Sequence, residues 1–488
     1  MLSLQALLPL VAGIAVPVAA TAGTSACSNI STQLSSSKVE SNELSLSYIE
    51  STEYWNTLQD DYKPACIIYP DSAQDVSVVI QAIRAAGSRF AIKAGGHNPN
   101  TFYSSVDKGV LLDLSNMTAK SYDEETTLAT YEPGGVFGDV YEYFAEWNRT
   151  VVGARLAGVG TGLALGGGMS YLSPQYGMAC DSFRELEIVL PDGQIVTASN
   201  ETNTDLFFAS RGGGGNAYGI VTKYTVQSRP IGEFWAGNLI YLFDQTDAVV
   251  EAIGNFIEYN TDPKAAIIGT YEKLPTPDLD LNLDEAIIMF LVYDGPDPGD
   301  AFKNFTYISA LLDTTGIKTY TEVVNMPIPF STEISRGNNM FRVGVHRPGN
   351  NSYGNALDEW RNWAESNKGK YELLSLDFQP VPKSLTDASK AQGGNAMQMP
   401  DGPYFWLNYL ISTPSGMSDA DYDAVQASYR DLVKNTGNAE GLPLFINDAS
   451  YDQNPLQTFS TFSKLQEIKK KYDPDSFFAD YTGGWSFA

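Results

Sequence analysis

Three glycine-rich turns fall within the first 220 residues of this 488-residue chain, and one of them carries a histidine. They are Gly95-Gly96-His97, the run GVGTGLALGGG from Gly158 to Gly168, and the run RGGGGNAYG from Arg211 to Gly219. Glycine lets backbone N–H groups come closer to a ligand than any side chain would permit. Successive exposed amides form a concave anion site, for which a pyrophosphate is the natural occupant. A tight turn explains any single run equally well, but three runs with an imidazole favour a large anionic cofactor. Gly212-x-Gly214-x-x-Ala217 has the spacing of a dinucleotide fingerprint. The preceding Asp205 to Ser210 reads as helix rather than strand, however, and no acid follows at a matching place about 20 residues on. The P-loop pattern is absent. With two histidines and no paired-cysteine spacing, no metal site is expected. GxSxG is absent too, which leaves a serine hydrolase unsupported.

The elements that must position these turns follow from periodicity. Ala65 to Tyr69 reads as a strand. Asp71 to Ala86 reads as a helix, with Val76, Val79, Ile80 and Ile83 on one face and Gly87 ending it. Strands are expected at Phe90 to Lys93, Val110 to Leu114, Thr127 to Tyr131 and Thr150 to Gly153, with a helix from about Val136 to Trp147. Leu186 to Leu190 and Gln194 to Ala198 form a hairpin around Pro191-Asp192-Gly193. The second half changes texture after Arg229-Pro230. Long strands such as Ala286 to Tyr293 and Tyr404 to Ser412 alternate there with helices near Asp247 to Asn260 and Asp419 to Asn435. An α+β domain with an antiparallel sheet suits that pattern. Ser25 to about Ser47 reads as a polar arm, with regular structure starting near Lys63.

With 31 basic and 58 acidic side chains the net charge is −27, which disfavours nucleic acid as a partner. No charged side chain occurs from Met1 to Ala22, and Leu7 to Ala20 is almost wholly apolar. That run is short for a membrane span and suits a signal peptide cleaved before Gly23, although no Lys or Arg precedes it. Six N-x-[ST] sequons, at Asn29, Asn116, Asn148, Asn200, Asn304 and Asn350, also favour the secretory route. A secreted protein without a membrane anchor is the expectation. Of the three cysteines, Cys27 and Cys66 are the expected disulfide, with Cys180 left over; three unpaired thiols are the alternative.

Four blocks carry a resemblance: KAGGHNPN (Lys93 to Asn100), LGGGMSYLSPQYGMACD (Leu165 to Asp181), DLFFASRGGGGNAYGIVT (Asp205 to Thr222) and YDPDSFFAD (Tyr472 to Asp480). In order, and from about Lys63 to the C-terminus, the chain resembles fungal berberine-bridge-enzyme-like flavoproteins of the vanillyl-alcohol oxidase/p-cresol methylhydroxylase (PCMH) superfamily. The resemblance implies an α+β architecture: a two-part PCMH-type FAD-binding fold over 63–229 after an arm at 23–62, a substrate domain over 230–444, and a segment at 445–488 returning to the cofactor. It implies covalent FAD bonded through His97 to the 8α-methyl carbon. By the same resemblance the cofactor would lie along Gly95, Gly96, Asn98, Gly158, Gly160, Gly162, Gly166, Asp181, Gly214, Gly215, Ile220 and Asn447. Its partners would be a small organic substrate and O2, giving H2O2, and the chain would be a monomer.

Departures from the family narrow the reading. Relatives with a second flavin bond take it from a cysteine where Arg155 stands here, so a single bond is expected. The carbohydrate oxidases carry Tyr-x-Asn-Tyr where this chain has Phe445-Ile446-Asn447-Asp448, and their last tyrosine accepts the proton. Its place falls to Asp448. Tyr409 and Tyr103 are further candidate bases. Aromatic residues in the second half, among them Trp235, Tyr271 and Tyr293, suit an apolar pocket and a secondary metabolite better than a sugar. Sugar oxidation, a flavin-retaining cyclase or ligand-binding protein, and a flavin-free structural glycoprotein remain the alternatives.

Overall fold

The structure is a computed structural model that describes residues 17–273, 285–327, 336–349 and 351–487. The expected leader therefore lies almost wholly outside the described side chains, and Asn350 lies outside the described residues. Asn29, Asn116, Asn148, Asn200 and Asn304 are all exposed.

The first sheet contains β1 (Val39–Glu40), β2 (Cys66–Ile68), β3 (Phe90–Lys93) and β4 (Val110–Asp113) in the order β1-β2-β4-β3. β2 and β3 both run parallel to β4. Parallel neighbours need a crossover, and their burial on both faces explains why these strands are short apolar runs rather than alternating ones. The helix Ala73–Ala86 carries the chain from β2 to β3, on the far side of β4. Ser72 Oγ accepts the N–H of Asp75 at its start, and Gly87, at φ 63°, ends it.

The expected polar arm is instead largely ordered, beginning with a helix over Pro17–Gln33. Ala26, Cys27 and Ile30 are buried in the core shared with Val76, Val79, Ile80 and Ile83. Small residues one turn apart suffice to bury a narrow stripe, and the Ser/Thr-rich composition around them hid it. Cys27 is bonded to Cys66, which fastens this helix to β2. Cys27→Ser is expected to lower stability by about 2–4 kcal/mol, measured by chemical denaturation; an unchanged midpoint would mean that packing alone holds the helix.

The second sheet is antiparallel: β5 (Lys120–Asp123), β6 (Leu128–Tyr131), β7 (Phe183–Val189), β8 (Ile195–Ser199) and β9 (Ile220–Gln227), ordered β5-β6-β9-β7-β8. The hairpin around Gly193 is β7–β8. The strand expected at Thr150 to Gly153 contracts to Arg149–Thr150, which pairs with Arg229–Pro230 just before the third sheet begins.

That third sheet holds β10 (Phe234–Tyr241), β11 (Ala265–Lys273), β12 (Glu285–Tyr293), β13 (Asn338–His346), β14 (Leu373–Val381) and β15 (Tyr404–Thr413). Their order is β10-β12-β11-β14-β15-β13, with two short strands beside β10. Successive side chains point to opposite faces. On one face Tyr271, Leu376, Phe378, Leu407 and Tyr409 pack under the helices Thr246–Tyr259, Ser352–Ser366 and Asp419–Thr436. The other face turns polar side chains toward the glycine turns. The chain then returns to the first sheet, where Phe477 and Phe478 pack on Phe90. Both of their N–H groups donate to Asp473.

Candidate functional site

A cavity of about 900 Å³ lies between the glycine turns and the polar face of the third sheet. On the glycine side, the turns that follow β3 and precede β7 cross backbone to backbone. A Cβ on Gly95 would stand 2.6 Å from the Cα of Gly160, so neither position admits a side chain. Gly158 and Gly162 line the cavity, and a Cβ on either would meet no protein atom within 4 Å. Asn447 clips the run in place: its Nδ2 donates to Leu163 O (3.0 Å) and its Oδ1 accepts the N–H of Gly168 (3.1 Å). The C-terminal tail closes the same side. Asn216 Nδ2 donates to Tyr103 O (2.9 Å) and Gly483 O (3.0 Å), and Trp485 lies against Gly214.

His97 lies at the junction of the two walls. Its ring stacks on Trp55 with centroids 4.6 Å apart and planes 13° from parallel. Burial pushes its pKa down to about 4, so the imidazole is neutral at pH 7 and offers a lone pair. The Lys93 ammonium ties the Trp55 segment to the turn: Nζ donates to Ser51 O (2.6 Å) and Glu53 O (3.1 Å) and lies over the Tyr54 ring.

The opposite wall is built by alternation. Thr270 and Glu272 on β11, Ser375, Asp377 and Gln379 on β14, and Asn408 on β15 all reach the cavity. Register places Asp377 directly between Thr270 and Asn408. Ser375 Oγ donates to Asp377 Oδ1 (2.6 Å) and Asn408 Nδ2 to Oδ2 (3.3 Å). Burial, aided by the charge of Asp448, raises Asp377 to about 6 against the opposing pull of the Ser375 and Thr270 hydroxyls and of Arg155. Asp448 accepts from Gln379 Nε2 (2.6 Å), and Arg155 donates to Gln379 Oε1. Burial raises Asp448 as well, against the opposing pull of Arg155 and the Gln379 bond. Glu272 is pushed up to about 8, by burial and then by the charge of Asp377.

Fourteen residues singled out in the sequence meet at this cavity: Gly95, Gly96, His97, Asn98, Tyr103, Gly158, Gly160, Gly162, Gly166, Gly214, Gly215, Ile220, Asn447 and Asp448. Two do not. Asp181 is buried beneath the glycine run, where its carboxylate accepts from Met178 N (2.8 Å) and Asn395 Nδ2 (3.0 Å); it shapes the turn that pairs with Gly167 and Gly168. Tyr409 is one residue out of phase with Asn408, so it points under the helices and its hydroxyl meets Thr436 (3.1 Å). Tyr103 is at the cavity, but its hydroxyl donates to Gly484 O (3.1 Å), which occupies the proton. Sequence reasoning missed Trp55, Glu272 and Asp377. For Asp377 a signal existed: Ser375-x-Asp377-x-Gln379 puts three polar groups on one face of an otherwise apolar, buried strand.

A glycine-backed wall opening onto a cavity, with one neutral, half-buried imidazole, fits a dinucleotide bearing a reactive ring. The two walls define the class: a two-subdomain PCMH-type FAD-binding fold joined to an α+β substrate domain. Residues 64–199 match the family described as FAD binding domain, and 459–483 the one described as berberine and berberine like. An uncharacterized FAD-linked oxidoreductase of Arthroderma benhamiae is 34% identical over 461 residues, covering 89% of this chain and 90% of that protein. The bifunctional solanapyrone synthase of Alternaria solani is 29% identical, covering 86% and 81%. Among solved structures, glucooligosaccharide oxidase from Acremonium strictum, which carries a 6-S-cysteinyl, 8α-N1-histidyl FAD, shares the fold with a TM-score of 0.75 at 20% identity, covering 93% and 98%. This chain belongs to the berberine-bridge-like family of FAD-linked oxidoreductases. FAD is its cofactor, and among the described residues no helix is long and apolar enough to cross a membrane.

Proposed function

We propose that this chain is a secreted, monomeric oxidase whose FAD is bonded once, through His97, and whose substrate is a small organic molecule of secondary metabolism. The neutral imidazole of His97 at the meeting point of the two walls carries this reading. Arg155 stands on the cavity wall at the place where relatives would bring a cysteine, while Cys180 is fully buried and outside it. That supports one bond rather than two. When bound, FAD accepts a hydride from a substrate carbon and passes the two electrons to O2, yielding H2O2.

The residues of this chain do the rest. Glycine amides of the two crossing turns would hold the pyrophosphate, and His97 and Trp55 would hold the ring system. Asp448 accepts the proton from the substrate O–H or N–H, with Gln379 and Arg155 holding its carboxylate in place. Asp377 lies within its electrostatic reach. Secretion rests on the apolar Met1 to Ala22 run, the exposed sequon asparagines and the disulfide. Peroxide release coupled to substrate-dependent bleaching of the flavin absorbance tests the oxidase reading. A yellow protein that bleaches without releasing peroxide in air would pass its electrons elsewhere, and the reading of O2 as acceptor would fall.

The acid groups set a pH dependence. A base must be ionised to accept a proton, and burial raises Asp448 above the usual carboxylate range, so the rate should fall on the acid side as that carboxylate takes up its proton. Because Asp377 and Asp448 repel one another, the limb belongs to the pair. A flat kcat/KM profile between pH 5 and 8 would exclude both as the titrating base.

A further inference from the structure

Four guanidinium groups lie outside the cavity lining and take no part in the chemistry above: Arg149, Arg184, Arg211 and Arg229. None of them makes an ion pair among the described residues, where the paired arginines are Arg84, Arg336, Arg342 and Arg430. Scarcity of acids is not the reason, since the chain has 58 acidic side chains to 31 basic ones. Three of the four gather at one turn. Arg184 Nη2 (3.4 Å) and Arg229 Nη2 (2.9 Å) donate to the same oxygen, Gln392 Oε1, so two cations share one neutral acceptor. Gln392 is oriented by its own Nε2, which donates to Tyr176 O. It follows the helix Lys383–Ala391 and precedes Gly393, which is exposed. A Cβ on Gly393 would meet Arg211 Nη2 at 3.9 Å, and one on Gly394 no protein atom within 4 Å. The third guanidinium therefore reaches the turn at a place with room beside it.

The groups that hold these arginines orient them without neutralising them. Arg184 Nη1 is held by the carbonyls of Asp181, Ser182 and Phe183, and Arg149 by Ser228 Oγ and O, both at 3.0 Å. Arg229 lies over the Tyr176 ring at 4.4 Å and Arg211 over the Phe207 ring at 5.2 Å. Arg211 is 5% exposed, and its Nε, like that of Arg229, has no hydrogen-bond partner among the described residues. Burial, with repulsion from neighbouring guanidiniums, holds Arg184 and Arg229 below the usual arginine range, Tyr176 opposing it at Arg229. The acids nearby are already engaged: Asp181 with Met178 N and Asn395 Nδ2, and Asp294 with Gln175 Nε2 (2.7 Å). An anion with several oxygens would satisfy the planar donors and relieve the repulsion together. We propose that this cluster is a binding site for a tetrahedral oxyanion, a phosphate or sulfate group taken as the free ion or as the head of an ester. Its oxygens would bridge Arg184 and Arg229 beside Gln392, with Arg211 behind them. Arg184 stands on β7 of the second sheet, and Gln392 lies between β14 and β15 of the third. The bound anion would therefore fasten one sheet to the other.

The test is calorimetry and thermal unfolding of the full chain at pH 7, in a zwitterionic buffer of low ionic strength. The probes are sodium phosphate, sodium sulfate and phenyl phosphate, each set against sodium chloride of equal ionic strength. Phosphate and sulfate are expected to bind at one saturable site with a Kd of about 1 mM or tighter. The binding should weaken as chloride is added. The unfolding midpoint should rise with phosphate and not with chloride, because the anion binds the folded chain alone. Phenyl phosphate bound as tightly as phosphate identifies an ester head group as an accepted source. Phenyl phosphate bound about tenfold more weakly or worse restricts the site to the free ion. Arg184→Gln and Arg229→Gln should each weaken phosphate binding about tenfold or more. Gln392→Glu, which puts a carboxylate where the anion would sit, should abolish it. Absence of saturable phosphate or sulfate binding to the wild-type protein overturns the proposal, and that result needs no variant to fold. Wild-type affinity retained in all three variants overturns it as well, since the anion would then be held elsewhere.

Discussion

His97→Ala is expected to convert a flavin that stays with the acid-denatured chain into one that is released completely. For the wild-type protein the deglycosylated, denatured chain should be yellow and heavier by one FAD, and the variant should show neither property. The expectation rests on position and protonation together. His97 is held by a glycine turn whose backbone crosses that of Gly160, is stacked on Trp55, and is neutral because burial pushes its pKa down to about 4. An imidazolium has no lone pair to form the bond, and the downward shift keeps the ring neutral in mildly acidic medium as well as at pH 7. Loss of the Trp55 stack should cost about 0.5–1.5 kcal/mol, too little to unfold the chain. The variant should therefore still bind flavin non-covalently through the glycine turns. Covalent flavin persisting in His97→Ala would place the bond on another side chain. A colourless wild-type protein would remove the reading at its root.

The second large effect is expected from Asp448→Asn. Turnover should fall by about 100- to 10,000-fold, the usual contribution of a positioned base, with flavin content unchanged. Asparagine is nearly isosteric with aspartate, and its carbonyl can still accept from Gln379 Nε2, so the 2.6 Å contact survives while the proton acceptor does not. The variant also separates the two carboxylates. The charge of Asp448 contributes to the elevation of Asp377. Removing it should lower the Asp377 pKa and move any residual acidic limb below pH 6. Turnover of Asp448→Asn within threefold of wild type would shift the role to Asp377, for which Asp377→Asn is the matching measurement.

How much of this was legible beforehand depended on the range of the interaction concerned. Strands β2, β3, β4 and β6, the helix Ala73–Ala86 and the hairpin around Gly193 were readable because a local pattern specifies each: a short buried run, a stripe at helical spacing, or a turn pair between strands; the edge strands β1 and β5 carry no such pattern and were not. The helix Pro17–Gln33 was not, since its buried stripe of Ala26, Cys27 and Ile30 acquires meaning only against the helix it covers. The glycine runs and His97 were legible for another reason. Glycine is chosen for what the backbone must approach, and the residue type itself records that demand.

The substrate wall was decided in three dimensions. Tyr409 and Asn408 are adjacent in sequence, yet the period of two sends one under the helices and the other into the cavity. Asp377 gains its environment from Thr270 and Asn408 on strands that lie more than 30 residues away on the far side and the near side of the chain, and from Asp448 in the C-terminal segment. Composition and spacing determined that this chain would hold a large anionic cofactor beside one histidine. Which carboxylates would face that cofactor, and at what protonation, was decided only by sheet register and burial. Those are long-range properties, and no stretch of sequence contains them.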